Sequence, residues 1–203
     1  MRDICMKRYI TLLSLGLCLV APMLSQGMEI KPFMHVTNVH NGQYDAALDA
    51  ITDTKFYGPY QFRVLKDAIE TQGETKDIDG RVFRTSDGVF MYVKARSIDN
   101  GSISLDKEVK QIIEDRTVPE PTVKMVLPVK HDVIEVNNDG VRSLLAEFMY
   151  GWPLDNRTDM VLVTDYEDTR YYYKLQFYRD KLPNGVSIEQ LRQMIMDAQF
   201  SYK

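Results

Sequence analysis

The sequence predicts an α+β domain in which helices pack on an antiparallel sheet of about five strands. The strict alternation of residue type along Tyr171–Tyr178 is typical of a half-buried strand. The turn Ser86-Asp87-Gly88 lies between two apolar runs, which indicates a β-hairpin. Ser187 is followed three residues later by Gln190, the spacing of a capping box that begins a helix. Strand and helix signals in one chain of 203 residues favour a single α+β domain.

The first 27 residues are predicted to be a cleaved secretory signal. Lys7 and Arg8 precede an apolar run from Ile10 to Leu24, and Ser25 and Gly27 then supply small residues at the two positions that a signal peptidase reads. The run is shorter than the about 20 apolar residues that span a membrane. An uncleaved anchor and a start at Met6 are the alternatives. We therefore expect a secreted, periplasmic protein that is not inserted in a membrane after cleavage of the signal.

The charge of the chain disfavours partners that carry phosphate. The formal net charge is −4, and loss of the predicted signal leaves 22 basic and 28 acidic residues, a net charge near −6. Nucleic acids and anionic membranes attract clustered Lys and Arg, so neither is an expected partner. Cys5 and Cys18 both lie in the predicted signal. The remaining chain is therefore expected to have no disulfide, no thiol nucleophile and no cofactor held by thiolates.

Residues 28–58 are predicted to be an N-terminal extension, and 59–203 to be the domain itself. The extension contains a short helix, because apolar residues follow the helical spacing at Tyr44, Ala47, Leu48 and Ile51. Pro59 suits the first turn of a second helix, and Gly73 suits its C-terminal cap. The buried stripe of this second helix is predicted to be Phe62, Leu65 and Ile69.

The middle of the domain predicts strands alternating with helices. Val89–Val93 is apolar on both faces, as expected of a central strand, and Ser104 caps a third helix at Leu105–Asp115. Further strands are expected at Val123–Leu127 and Val133–Val136. Asp139 is interpreted as the cap of a helix from Gly140 to Tyr150, whose apolar stripe is Val141, Leu144, Leu145 and Phe148.

The end of the domain predicts a hairpin covered by a helix. Met160–Val163 and Tyr171–Tyr178 are the two strands, and an acidic turn at 165–168 joins them. The last helix should lie on this hairpin through one apolar face: Ile188, Leu191, Ile195 and Ala198.

The order of elements from Pro59, α-β-β-(α)-β-α-β-β-α, resembles that of the bacterial YbjN family, which shares its fold with type III secretion chaperones. The most similar stretch is Tyr171–Ile195, which reads YYYKLQFYRDKLPNGVSIEQLRQMI. The added helix at Leu105–Asp115, the N-terminal extension and the Trp152-Pro153 step depart from the family pattern. The resemblance implies a non-enzymatic regulatory or protein-binding module, often dimeric, without catalytic residues.

The aromatic side chains of the last hairpin are the strongest candidates for a binding surface. Alternation directs Tyr173 toward the helix-covered face and leaves Tyr172 and Tyr178 on the other face beside Lys174. Exposed tyrosines beside charged groups are enriched in protein interfaces. The alternative is that these rings pair across strands and stabilise the sheet. Trp152 is the remaining binding candidate, and a hydrophobic latch after its helix is the alternative role.

The sequence contains no recognisable catalytic or metal-binding motif. His35 and His40 are five residues apart, a spacing that directs only one ring toward a given ion, so they predict at most a weak zinc site. His131 and Asp132 lack a nucleophile to activate. The acidic turn at 165–168 lacks the glycine and terminal glutamate of a calcium loop.

We therefore expect a secreted, non-enzymatic module, chaperone-like or regulatory, that binds a protein partner or a second copy through its sheet. Two alternatives stay open. A periplasmic hydrolase assembled from scattered Asp, Glu and His would contain a concave pocket with carboxyl groups of raised pKa. A structural component of the cell envelope would require neither a pocket nor a single partner.

Overall fold

Two β-sheets and three helices form the described part of the chain. The computed structural model describes residues 34–37, 42–71, 80–118, 127–151 and 156–201, with backbone only at 34–37 and 42–45. The helices are α1 (Gly42–Ile51), α2 (Leu105–Thr117) and α3 (Ile188–Met196). The strands are β1 (Met34–Thr37), β2 (Thr52–Tyr57), β3 (Tyr60–Leu65), β4 (Ile69–Thr71), β5 (Arg81–Arg84), β6 (Phe90–Ser97), β7 (Lys130–Asn138), β8 (Val141–Met149), β9 (Arg157–Tyr166), β10 (Thr169–Tyr178) and β11 (Gln199–Phe200).

The larger sheet has eight strands in the order β1-β7-β8-β9-β10-β6-β5-β4. Its strands pair antiparallel, except that β1 runs parallel to β7. The smaller sheet has three antiparallel strands in the order β11-β3-β2. The α+β class is therefore confirmed, whereas the prediction of one sheet of about five strands is wrong.

The two faces of the larger sheet are covered by different elements. On one face, Leu105, Val109 and Ile113 of α2 form an apolar cluster with β8, β9 and Tyr172. On the other face lie α3 and the smaller sheet, and the two sheets meet through aromatic rings. The ring of Tyr60 stacks 5.0 Å from that of Tyr171 between centroids. Such pairs contribute about 0.5–1.5 kcal/mol each beyond their buried area.

Several predicted elements are confirmed where a local signal marked them. The hairpin of β5 and β6 turns at residues 85–89, and β9 and β10 form the predicted final hairpin. Ser104 caps α2, and Ser187 and Gln190 form the capping box of α3. The short helix of the extension is α1, although the following residues form β2.

The helix predicted from Pro59 is wrong, because Tyr60–Leu65 forms β3 and Ile69–Thr71 forms β4, while its predicted cap Gly73 lies outside the described residues. Tyr60, Phe62 and Val64 are all buried against the larger sheet. Their spacing of two is that of a strand, whereas the helical interpretation used Phe62, Leu65 and Ile69. Ile69 is 72% exposed, so it belongs to no buried stripe.

The predicted helix at Gly140–Tyr150 is also wrong, because β8 occupies this segment. Asp139 and Gly140 have φ of 51° and 83° and join Asn138 to Val141 as the two turn residues of a hairpin. Positive φ at both positions is the type I′ geometry that Asp-Gly favours. β8 is buried on both faces, and a fully buried strand contains apolar residues at helical as well as strand spacings.

These two corrections change the order of elements on which the resemblance to the YbjN family depends. Strands replace the helix before the first hairpin and the helix before the last one. Membership of that family stays a prediction. The predicted signal at 1–27 and most of the strand predicted at Val123–Leu127 lie outside the described residues, and Leu127 itself is in no strand.

Candidate functional site

The candidate site is the part of the larger sheet that extends past α2. Helix α2 packs on β8 and β9, and its first turns reach β10. Side chains of β5, β6 and β10 on the same side of the sheet remain half-buried or exposed beyond it. We call this surface the open face and define it by six residues: Arg84, Phe90, Tyr92, Lys94, Lys174 and Tyr178.

The strand register places these side chains on one face. Lys174 lies directly opposite Tyr92 of β6, and Phe90 lies directly opposite Arg84 of β5. Residues opposite each other in an antiparallel pair point to the same side of the sheet. The aromatic and basic side chains therefore alternate across three neighbouring strands.

Cations lie over aromatic rings on this side of the sheet. The guanidinium of Arg84 is 5.3 Å from the ring centroid of Phe90, and the ammonium of Lys94 is 4.9 Å from that of Tyr172. A cation within about 6 Å of a ring centroid is attracted by the electrons of the ring face. Neither Arg84 nor Lys94 forms a salt bridge with a described residue. No described carboxylate therefore offsets the positive charge of either side chain.

Lys174 is a half-buried cation at the centre of the open face. Burial lowers its pKa, the negative charge of Asp159 opposes that effect, and the positive charges of Arg116 and Arg157 add to it. Among the described residues Lys174 has no salt-bridge or hydrogen-bond partner. Its ammonium therefore loses hydration without gaining a bonded counter-charge.

Asp159 is the buried carboxylate below this cluster, and two arginines already bind it. Nη1 of Arg116, from the last turn of α2, lies 3.1 Å from Oδ2, and Nε of Arg157 lies 3.1 Å from Oδ1. Lys174 and the described groups that act on it comprise three cations and one carboxylate, which is an excess of positive charge in a chain whose net charge is −4.

An open hollow adjoins the end of the open face. It has a volume of about 580 Å³ and is lined by Ser86, Asp87, Gly88, Tyr178, Lys181 and Leu182. The ammonium of Lys181 lies 5.5 Å from the ring centroid of Tyr178. Tyr178 therefore belongs both to the hollow and to the open face.

The sequence-predicted binding residues fall into different environments. Tyr178 is 37% exposed, and Lys174 lies on the same face, so the structure brings these two together as predicted. The predicted exposure of Tyr172 is wrong, since this residue is only 7% exposed beneath α2. Alternation along β10 assigned the correct face, but nothing local to β10 shows that α2 covers it at Tyr172. Trp152 lies outside the described residues.

Tyr172 is part of the ionic contact that fixes α2 to the sheet. Its hydroxyl donates to Oε1 of Glu108 at 2.7 Å, and burial together with this bond raises its pKa. The other oxygen of Glu108 accepts from Arg96 at 2.6 Å and from Arg170 at 3.0 Å. Arg170 is 1% exposed and also binds both oxygens of Asp165. Asp165, the first residue of the predicted acidic turn, therefore lies in β9 and serves as the ion-pair partner of Arg170.

Sequence reasoning missed four of the six residues of the open face. Phe90 and Tyr92 belong to Val89–Val93, the stretch predicted to be a central strand that is apolar on both faces, and Arg84 and Lys94 flank that stretch. Within β6, Met91 and Val93 are fully buried, while Phe90, Tyr92 and Lys94 are half-buried. In the sequence of β6, Met91 and Val93 alternate with aromatic or basic residues, and this alternation could have predicted the open face.

The described residues offer no grouped metal ligands, since no set of three His, Cys, Asp or Glu side chains lies close enough to hold an ion. The side chains of His35 and His40 lie outside the described part. The ring of His131 stacks on Phe148 at 6.5 Å, and Asp132 pairs with Lys130 at 2.7 Å. These contacts separate the His-Asp pair that the sequence singled out.

The hydrolase alternative requires carboxyl groups of raised pKa in a pocket. Asp87 is the carboxyl group that lines the described hollow. The pKa values of Glu70 and Asp106 are lowered, in each case chiefly by hydrogen bonds from an arginine. Neither observation supports a hydrolase, which stays an untested alternative.

Comparisons with known proteins give two weak structural matches and no family. No family model matches the sequence, and no curated protein matches it. Cyanobacterial PsbP from Synechocystis sp. PCC 6803 matches with a TM-score of 0.47 and 14% identity, over 64% of this chain and 82% of that one. A protein from Bacteroides thetaiotaomicron VPI-5482 matches with a TM-score of 0.45 and 10% identity, over 75% of this chain and 49% of that one.

No helix in the described part of the chain is long and apolar enough to cross a membrane.

Proposed function

We propose that this chain is a secreted, non-enzymatic module that binds a protein partner through the open face. The observation that carries the proposal is the combination of half-buried or exposed rings with cations that have no carboxylate partner among the described residues. Protein interfaces are enriched in Tyr, Phe and Arg, and their most important residues lie where a ring or cation becomes buried on binding. The predicted signal at 1–27 supports secretion.

The partner proposed is a different protein with an acidic surface. In a symmetric dimer the same patch would meet itself, so Lys94 and Lys174 would face the like charges of the second copy. Like charges that oppose each other across an interface cost several kcal/mol. An acidic partner instead gains from the same charges.

The proposal is tested by capturing partners from the native host with three tagged proteins. The first is the wild type, and the second carries Arg84→Glu with Lys94→Glu on the open face. The third, a matched control, carries Lys107→Glu with Lys110→Glu on the exposed side of α2, with the same change in charge. We expect one protein to be captured by the wild type and the control and to be reduced at least tenfold with the open-face variant.

The captured proteins are quantified by mass spectrometry, and circular dichroism verifies that each variant is folded. Equal capture by all three proteins would contradict the proposal. Loss of capture by the α2 variant alone would show that the partner binds the exposed side of α2 and not the open face.

A further inference from the structure

We propose that the open face takes an extended acidic polypeptide segment, one carboxylate of which binds the ammonium of Lys174. This inference rests on the proposed function and specifies the chemistry of the partner. Three observations carry it: the excess of positive charge among the described groups near Lys174, the lack of a bonded counter-ion at Lys174 among the described residues, and the aromatic rings of Tyr92, Phe90 and Tyr178 on the same face.

The described charges that act on Lys174 come from two elements, α2 and β9. Arg116 comes from α2, and Arg157 and Asp159 come from β9. Lys94 lies on β6 directly opposite Tyr172, two residues along the strand from the neighbour of Lys174. Asp159 is the described carboxylate that acts on Lys174, and it already forms ion pairs with Arg116 and Arg157. An added carboxylate therefore enters a site with surplus positive charge.

Lys174 has the hydrogen-bonding capacity that such a carboxylate needs. An ammonium has three donors, and none of those of Lys174 is used by a described residue. Tyr92 and Val161 are the cross-strand neighbours of Lys174 on the same face of the sheet. A carboxylate would replace the hydration that the half-buried ammonium has lost.

The rings on the open face supply contacts for the rest of the segment. From Lys174 to Tyr178 the strand advances by four residues, roughly 13 Å at about 3.3 Å per residue. Phe90 lies directly opposite Gln176, between these two positions in the register. An extended segment of four or five residues would therefore place one acidic side chain at Lys174 and an apolar one against Phe90 or Tyr178.

A single-stranded nucleic acid is the competing occupant, since aromatic rings and cations also bind stacked bases. Such sites follow the phosphate backbone with a continuous series of cations. Here the series is interrupted by the buried Asp159, and the whole chain is acidic. An acidic peptide agrees better with a few discrete positive positions.

The probe is a ten-residue peptide that alternates Glu and Ser, and the neutral control peptide alternates Gln and Ser. Each is titrated to millimolar concentration against the ¹⁵N-labelled protein by NMR. The variants are Lys174→Met, which removes the charge, Lys174→Arg, which retains it, and Lys110→Met, a control on the exposed side of α2. We expect the acidic peptide to shift resonances of β6 and β10. Its binding to Lys174→Met should be at least fivefold weaker than to the wild type, whereas Lys174→Arg and Lys110→Met should bind it as the wild type does.

Several results would overturn the inference. These are equal Kd values for wild type and Lys174→Met, equal binding of the Gln–Ser peptide, or no binding of the acidic peptide at any concentration. Tighter binding of a ten-nucleotide oligothymidine, dependent on the same lysine, would assign the face to nucleic acid. The capture experiment with Arg84 and Lys94 is independent of Lys174, so it separates failure of this inference from failure of the proposed function.

Discussion

Replacement of Tyr172 tests whether α2 covers the sheet as described. Tyr172 is 7% exposed and its hydroxyl donates to Glu108, whereas Tyr178 on the same strand is 37% exposed. Loss of a buried aromatic side chain costs about 3–5 kcal/mol. Tyr172→Ala should therefore lower the free energy of unfolding by about 3–5 kcal/mol, and Tyr178→Ala by less than about 1 kcal/mol.

A second substitution isolates the hydrogen bond from the buried ring. Tyr172→Phe keeps the ring and removes the donor to Glu108, which should cost about 1–3 kcal/mol because the acceptor is charged. Stability is measured by urea denaturation followed by circular dichroism, with Tyr178→Phe as the matched control. Equal losses for the two positions would refute the placement of α2 over Tyr172, and would restore the prediction that both tyrosines are exposed.

Three further predictions concern the turns and one ion pair, and urea denaturation measures each. Gly140→Ala should destabilise by about 1 kcal/mol, because φ is 83° there; if Asp139 capped a helix, the same change would stabilise. Gly80→Ala should cost more than about 2 kcal/mol, since a β-carbon would lie 2.3 Å from a backbone oxygen of β6. Arg142 lowers the pKa of Asp106, so this carboxylate stabilises the fold above its unfolded pKa and loses that effect as pH falls through its folded pKa. Asp106→Asn should remove that acid-dependent loss, which is well under about 1 kcal/mol because the pair is largely exposed.

Elements marked by a local chemical signal were predictable from the sequence. The caps Ser104 and Ser187 each accept a hydrogen bond from the backbone of their own helix, so the information lies within four residues. The same holds for the turn at Ser86-Asp87-Gly88, which joins β5 to β6. These signals do not depend on what the rest of the chain does.

Elements defined by their surroundings were not predictable in the same way. Leu144, Leu145 and Phe148 satisfy a helical spacing only because β8 is buried between α2 and α3. The Asp139-Gly140 pair fits both a helix cap and a type I′ turn, and the long-range pairing of β7 with β8 decides between them. Local periodicity cannot distinguish a strand buried on both faces from a helix.

The candidate site shows the same division. Alternation along β10 placed Lys174 and Tyr178 on one face, which the structure confirms. The covering of Tyr172 depends on where α2 lies, a contact between segments more than 60 residues apart, since Glu108 and Tyr172 are separated by 64. Lys94 joins the face only through the pairing of β6 with β10. A surface of this kind is created by tertiary structure.

The most direct test of the open face is lysine labelling in the presence of the native host's extract. Lys94 and Lys174 lie on the open face, and Lys110 on the exposed side of α2 serves as the internal control. The purified protein is acetylated with and without the extract, and the modified fraction of each lysine is measured by mass spectrometry. We predict that the extract protects Lys94 and Lys174 while Lys110 is modified to the same extent. Unchanged labelling of all three lysines, or protection of Lys110 alone, would contradict binding at the open face.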